Sequence, residues 1–411
     1  MYWFIFTIVF FIVLLLIITN NTNNIETFSG TNNTTSSRKS SQISTLSTKY
    51  DSISASRNSI SSLLSDPNIL NDMPVSEQSL VNFYCLGCRF TGFIGPFKDG
   101  FFDPFNSIRF ALMAGCRTFV LEIDYTDDCT KGGEPFYYPK LVIRDNQGKS
   151  VVNDEGFKPI CNNNNYSNIR SVCQEISNQA FAHNLPTATD PVIIVLYLIR
   201  LPPKNKSKPK QELEYMSNIA KNLQPLLNRH IDNIGSGGTY TRQKQEGKLL
   251  TNNITDYEGR VLIFCNANTN AFRDENYPPN EDLDYLVNLR LNYKQTKLGC
   301  TPTESGGSFG LLENIDNYLI VPPDQVDTIA DETKLKWTIG FSQDPSVSVS
   351  QDTYIKTAGN FGIHCIPIQI WNDNSLLSLV LFIGSSMSVY FAILLIFKEI
   401  NINKMKRLLF K

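Results

Sequence analysis

The stretch from residue 105 to residue 124 constrains the fold more than any other part of the sequence. Its first half has the apolar spacing of an amphipathic helix, with Asp103 suited to the N-cap and Gly115 suited to the left-handed turn that ends a helix. Its second half alternates like a strand and places Glu122 and Asp124 on one face. Two acids on one face are costly to bury without a cation, and the carboxyl end of a strand is where barrel enzymes hold their chemistry. The segment therefore predicts a functional site.

Residues 1–19 and 375–397 are predominantly apolar runs. The second is long enough to cross a hydrocarbon core of about 30 Å, and five basic residues follow it against the single acid Glu399. Because positive charge favours the cytosolic side, we expect a transmembrane helix at 375–397 and a basic cytosolic tail at 398–411. The first run has no charged segment before it and fits either a signal-anchor or a signal peptide.

The part between the two runs is therefore predicted to be luminal or extracellular. Six Asn-X-Ser/Thr sequons agree with a glycoprotein, and nine cysteines could form disulfides there, although an odd number leaves at least one thiol. Cys85 and Cys88 form a CxxC pair without the second pair or the nearby histidines that zinc needs, so a local disulfide or two packed thiols is expected. The net charge of −2 gives no field for nucleic acid.

The order of patterns along the chain predicts its architecture. Residues 20–78 are rich in Ser, Thr and Asn and are predicted to form a disordered stalk, whereas strand and helix patterns alternate over 79–372. This alternation predicts an α/β fold, a TIM-like (β/α) barrel of parallel strands flanked by the two transmembrane segments. A doubly wound open sheet is the alternative, but no Gly-rich phosphate loop follows the first strand. The predicted strands are 81–88, 117–124, 140–144, 191–200, 260–265, 318–321, 337–341 and 361–370, and the predicted helices are 104–114, 166–182, 210–231 and 282–291.

Four stretches resemble the phosphatidylinositol-specific phospholipase C X-domain-like phosphodiesterases, and most of all their divergent branch in protists and large DNA viruses. These stretches are 111–124, 178–182, 189–197 and 258–264, and their order and spacing fit the family across 79–371. The resemblance implies a PLC-like TIM barrel that cleaves a phosphodiester. In active relatives two histidines move protons, and in the eukaryotic forms a Ca²⁺ ion lies among an Asn, a Glu-x-Asp pair and a later Glu.

Glu122 and Asp124 match the Glu-x-Asp pair. The resemblance therefore implies that these two residues are the remnant of a calcium site. The other family positions differ. The first histidine falls at Cys88, the Asn at Arg89, the second histidine at Arg144 and the last carboxylate at Tyr197.

The three histidines of the chain, His183, His230 and His364, do not follow the first or third predicted strand. Arginine stays protonated and cannot act as a base, so neither Arg89 nor Arg144 can replace a catalytic histidine. The arginines are instead predicted to pair with the two carboxylates in place of a metal. No cofactor is then expected, and a Ca²⁺ ion is expected only if the site is catalytically active.

These expectations favour a membrane-anchored, catalytically degenerate protein with a binding or structural role at a host membrane or a viral envelope. Its ligand would be a lipid headgroup or a glycan held by Arg89, Arg144 and Tyr197. The first alternative is an active phosphoric diester hydrolase that acts on a phosphoinositide or GPI-type lipid with a rearranged site, in which Cys88 or Tyr197 replaces an acid. The second is an adhesion or envelope protein of unrelated fold.

Overall fold

The computed structural model describes a set of segments between residues 35 and 372, and the predicted apolar runs 1–19 and 375–397 and the basic tail lie outside them. No helix among the described residues is both long and apolar enough to cross a membrane. The chain divides into two compact units, 1–42 and 43–411. In the first unit the structure describes only residues 35–42, which form the start of the helix Thr35–Asp51. The described residues are 35–51, 59–65, 67, 74–96, 100–125, 130–131, 133–143, 168–203, 210–232, 247–269, 277–293, 309–342, 344–346 and 348–372.

Eight parallel strands form a nearly closed barrel, as the alternating pattern predicts. Neighbouring strands pair in sequence order, and the last strand pairs with the first. Between the seventh and eighth strands, a single parallel bridge joins Ile339 to Cys365. The strands are β1 (Gly87–Cys88), β2 (Thr118–Asp124), β3 (Val192–Leu198), β4 (Val261–Cys265), β5 (Leu289–Tyr293), β6 (Gly310–Asn314), β7 (Trp337–Phe341) and β8 (Pro367–Ile368).

Helices follow most of these strands and cover the outside of the barrel. They are α1 (Thr35–Asp51), α2 (Ile60–Leu64), α3 (Pro104–Met113), α4 (Asn168–Gln179), α5 (Lys210–Asn222), α6 (Lys248–Thr251), α7 (Leu283–Leu286), α8 (Ile315–Leu319), α9 (Val326–Leu335) and α10 (Gln351–Phe361). Short 3-10 turns lie at Val75–Glu77, Leu80–Asn82, Gln224–Arg229, Ile254–Tyr257 and Pro323–Gln325, and short antiparallel strands lie at Phe93–Ile94, Phe101–Phe102, Thr130–Lys131, Glu134–Pro135 and Lys140–Leu141.

The predicted helix–strand unit is present. The Asp103 side chain accepts a hydrogen bond from the backbone N–H of Asn106 at 3.1 Å and so caps α3. Gly115 follows the helix with φ +89°, a left-handed conformation that favours glycine. β2 is buried throughout, and its alternation places Glu122 and Asp124 on the same side as Val120.

The hydrophobic core has two layers, because alternate side chains of each strand face opposite sides of the barrel wall. The outer layer joins the strands to the helices and contains Phe119, Leu121 and Ile123 of β2. The inner layer fills the barrel and contains Val120, Tyr197, Phe264, Trp337 and Phe341, among other residues.

The stalk prediction for 20–78 is wrong for the described part of that segment. Helix α1 carries Leu46 and Tyr50 one turn apart, and both are buried. The hydroxyl of Tyr50 donates to the carbonyl of Ile370 at 2.6 Å, and its ring stacks on Phe110. Two apolar side chains at helical spacing therefore dock a segment whose composition is otherwise typical of disorder.

Several predicted strands and helices also differ from the structure. The predicted strand 318–321 lies in and after helix α8, and the strand of that unit is β6, which ends in polar residues and so lacks a continuous apolar run. The predicted helix 282–291 is helix α7 followed by strand β5. Lys140–Leu141 pairs antiparallel with β2, so the predicted strand 140–144 is not a member of the barrel ring.

Candidate functional site

The candidate site lies at the carboxyl end of the barrel, where the acidic residues of β2 face inward. Glu122 lies beside Tyr197 of β3 in the parallel register, and both are almost fully buried. Asp124 is fully buried at the last position of β2. Burial of two carboxylates needs compensation by positive charge or hydrogen bonds, and two arginines supply it.

Arg89 compensates Glu122. It follows β1 directly, and its Nε lies 2.6 Å from Oε1 of Glu122 in an ion pair that is almost fully buried. The guanidinium also lies over the rings of Phe90 and Phe341, at 4.8 and 5.2 Å from their centroids. The predicted pairing of Arg89 with a carboxylate of β2 is therefore present. The ion pair packs against the aromatic rings of Phe90 and Phe341.

Arg200 compensates Asp124, and the sequence reasoning missed it. Its Nε lies 2.9 Å from Oδ1 of Asp124, and the same oxygen accepts the backbone N–H of Tyr125 at 2.7 Å. A second nitrogen of Arg200 donates to the Tyr125 carbonyl, and the guanidinium lies 4.3 Å from the Tyr125 ring centroid. Arg200 is about one-third exposed, so it faces the entrance of the site. The available signal was its place just after the continuous apolar strand that neighbours β2.

The prediction gave the second pairing to Arg144, which lies outside the described residues. Among the described residues, Arg200 pairs with Asp124, because β3 is the parallel neighbour of β2 and its end therefore reaches the end of β2. The pairing of Arg144 stays a prediction.

Cys88 and Tyr197 are both packed. Cys88 belongs to the outer core layer between strands and helices, and burial raises the pKa of its thiol to about 12. Cys88 therefore does not line the barrel mouth, and a thiol with that pKa is a poor acid at neutral pH. The Tyr197 ring stacks on Phe341 with centroids 5.2 Å apart and closes the barrel interior beneath the ion pairs.

All three histidines are described, and they lie toward the amino end of the barrel. His230 bridges Val261, the first residue of β4, and its ring nitrogens contact the carbonyls of Asp232 and Leu286.

His364 accepts the N–H of Thr338 through Nδ1 and contacts the Val81 carbonyl through Nε2. Burial lowers its pKa to about 4, so it is a neutral structural residue. His183 is exposed on the loop that leads to β3.

The described residues contain no group of three or more His, Cys, Asp or Glu side chains that could hold a metal ion. Asn266, directly after β4, has a structural role. Its side chain accepts a hydrogen bond from the N–H of Leu198 and donates one to the carbonyl of the same residue. The mouth thus presents two carboxylates, each held by a fixed cation, and an aromatic rim at Tyr125 and Tyr137.

No family model and no curated protein sequence matches the chain. Among solved structures, the chain is similar to PLC21 from S. officinalis (TM-score 0.48, 14% identity, 76% of this chain and 36% of that one) and to PLC21 from L. pealei (0.46, 15%, 75% and 36%). It is also similar to an apo form of a calcium-dependent phosphoinositol-specific phospholipase C from Pseudomonas sp. (0.41, 13%, 74% and 94%). The chain thus spans about a third of the length of either PLC21. The barrel itself is established by the strand pairing of this chain.

Proposed function

We propose that this chain is a membrane-anchored, phospholipase C X-domain-like barrel that binds a ligand without cleaving it. The observation that carries the proposal is the pairing of Arg89 with Glu122 and of Arg200 with Asp124 at the mouth. The motif resemblance supports the family, and the eight-stranded barrel fits it.

The described residues at the mouth do not fit a calcium ion. Calcium takes six to eight oxygen ligands, and its affinity depends on uncompensated carboxylates. Here one oxygen of each carboxylate already accepts a guanidinium N–H, and an added dication would lie beside two fixed positive charges. The proposal therefore contains no step through a metal.

The described residues of the mouth also include no proton carrier of the kind that hydrolysis of a phosphodiester needs. The three histidines lie elsewhere, arginine remains protonated, and the Cys88 thiol is buried away from the mouth. General acid–base catalysis contributes about 10²–10⁴ in rate for each participating group. Without those groups, we expect turnover at the background rate.

An anionic headgroup suits this mouth better than a neutral one. Arg200 is one-third exposed, so its guanidinium places positive charge at the entrance of the mouth. A phosphate or an acidic sugar carries the opposite charge, and a guanidinium forms strong charge-assisted hydrogen bonds with such anions. The predicted span at 375–397 begins three residues after Asn372, which would hold the barrel beside a membrane.

Hydrolysis and binding measured on the same vesicles separate this proposal from an active lipase. The purified chain is incubated with phosphatidylinositol vesicles, then released inositol phosphate and sedimented protein are measured. We expect binding without release, and weaker binding by Arg200→Ala. Arg109→Ala is the control, because Arg109 is a surface residue on helix α3 whose ion pair with Asp51 is long, at 3.8 Å. Release of inositol phosphate that Arg200→Ala abolishes and Arg109→Ala retains would favour the rearranged enzyme.

A further inference from the structure

The barrel closes where its last strand, β8, meets β7 on one side and β1 on the other, and this region is called the seam below. β8 is two residues long, and a single bridge, Ile339 to Cys365, links its approach segment to β7. On the other side, β8 pairs with the equally short β1. Because this seam joins the two ends of the barrel sequence, any bond across it closes a very long loop.

Two cysteines face each other across this seam. Gly87 pairs with Pro367 and Cys88 with Ile368, so the same register two residues earlier places Cys85 opposite Cys365. The N–H of Cys85 donates to the carbonyl of His364 at 2.8 Å, which is the bond that this parallel register requires. Adjacent strands lie about 4.8 Å apart, within the range of Cα separations that disulfides span.

The side chains of both cysteines also lie in the same core layer. Cys85 and Cys365 both belong to the inner core layer of the barrel. Burial raises the pKa of the Cys365 thiol, and the neighbouring Cys85 raises it further. Gly87 leaves room there, since a Cβ at that residue would lie 2.6 Å from the Cys365 sulfur. Cys88, by contrast, faces the outer layer, so the two cysteines of the CxxC pair point to opposite sides of the wall.

We propose that Cys85 and Cys365 form a disulfide across the barrel seam when the chain folds in an oxidising compartment. The two thiols lose two protons and two electrons as the S–S bond forms. The oxidant is a disulfide, either a small molecule or an oxidoreductase, which is reduced to two thiols.

Burial determines when this bond can form. It raises the pKa of the Cys85 thiol to about 12 and raises that of Cys365 as well, so the folded dithiol contains almost no reactive thiolate. Oxidation therefore takes place during folding, before the inner layer closes. A bond formed then is shielded from reductants in the native state and is reduced only when the barrel opens.

Peptide mapping under non-reducing conditions tests the bond directly. The full chain is produced through a secretory pathway, free thiols are alkylated after denaturation, and cross-linked peptides are identified by mass spectrometry. We expect a peptide pair that joins Cys85 to Cys365, with Cys88 alkylated. Recovery of Cys85 and Cys365 as alkylated thiols, or joined to other cysteines, would overturn the proposal.

Thermal unfolding gives a second, independent readout. The wild-type midpoint should fall by about 5–10 °C when denaturation and refolding are carried out with reductant, because the bond closes a long loop. Cys85→Ser should lose this dependence on reductant. Cys88→Ser is the matched control, since Cys88 is also buried and lies three residues away, and it should keep the dependence. Equal dependence in both variants would contradict the assignment.

Discussion

At the mouth of the barrel, each acid of β2 has its own guanidinium, but the two pairs differ in exposure. Arg89 and Glu122 are both buried, whereas Arg200 is one-third exposed beside a fully buried Asp124. Removing one partner of a buried pair leaves an uncompensated charge, which costs much more than the pair itself contributes. The consequence for stability should therefore be largest at Arg89.

Arg89→Ala should lower the free energy of unfolding by about 3–5 kcal/mol, because it leaves Glu122 charged and unpaired among aromatic rings. Urea unfolding followed by circular dichroism measures this. The control Arg109→Ala removes an exposed pair and should change stability by about 0–1 kcal/mol. Joint replacement of Arg89 and Glu122 by Leu should recover most of the loss. Equal effects of the two alanine variants would contradict the buried pairing.

His364 provides a prediction about pH. Its unfolded pKa is near 6.5 and its folded pKa is about 4, since burial disfavours the imidazolium and Nδ1 already faces the Thr338 N–H. Between these values the unfolded chain binds more protons, so the stability that His364 contributes above pH 6.5 is lost as pH falls towards 4. The full difference is about 3 kcal/mol.

The comparison that isolates this effect is wild type against His364→Gln, in urea unfolding at several pH values. Asp190 titrates with the opposite sign, because burial raises its pKa to about 7 and its contribution is lost as pH rises through that value. The wild-type advantage over His364→Gln should shrink steadily from pH 7 to pH 4. A constant advantage across that range would show that His364 does not titrate as described.

Helix α1 is the element in which sequence and structure differ most. Its polar composition predicts disorder, yet Tyr50 is fully buried and bonded to the carbonyl of Ile370. Tyr50→Ala should therefore destabilise the chain by about 3–5 kcal/mol in urea unfolding. Thr48→Ala on the exposed face of the same helix should have little effect. A truly disordered stalk would make both variants neutral.

The elements that the sequence predicts well are those with strong local signals. The capped helix α3, the alternating strand β2 and the continuous apolar strand β3 all lie within two residues of their predicted bounds. Strands β5 and β6 were missed because they are short and carry polar residues. At the site, Glu122 follows from strand-end chemistry and Arg89 from the family resemblance. Arg200 could be placed only from the pairing of β3 with β2, which the barrel supplies.

At the scale of the whole molecule, β8 ends at the carboxyl face of the barrel shortly before the predicted span 375–397. Removal of residues 1–19 and 375–411 together should release the chain from membranes into the supernatant of an alkaline carbonate extraction. Removal of 375–411 alone distinguishes a retained signal-anchor, which leaves the chain in the pellet, from a cleaved signal peptide, which does not. Full extraction of the intact chain by carbonate would contradict both anchors.

The proposed function requires that two fixed cations take the place of a metal at the barrel mouth. The most direct measurement is calorimetric titration of the purified chain with Ca²⁺, beside the double variant Arg89→Ala and Arg200→Ala if that variant folds. We expect no saturable binding to the wild-type chain at millimolar calcium, and measurable binding where both guanidiniums are removed. Stoichiometric, tight calcium binding by the wild-type chain, lost on Glu122→Gln, would contradict the account.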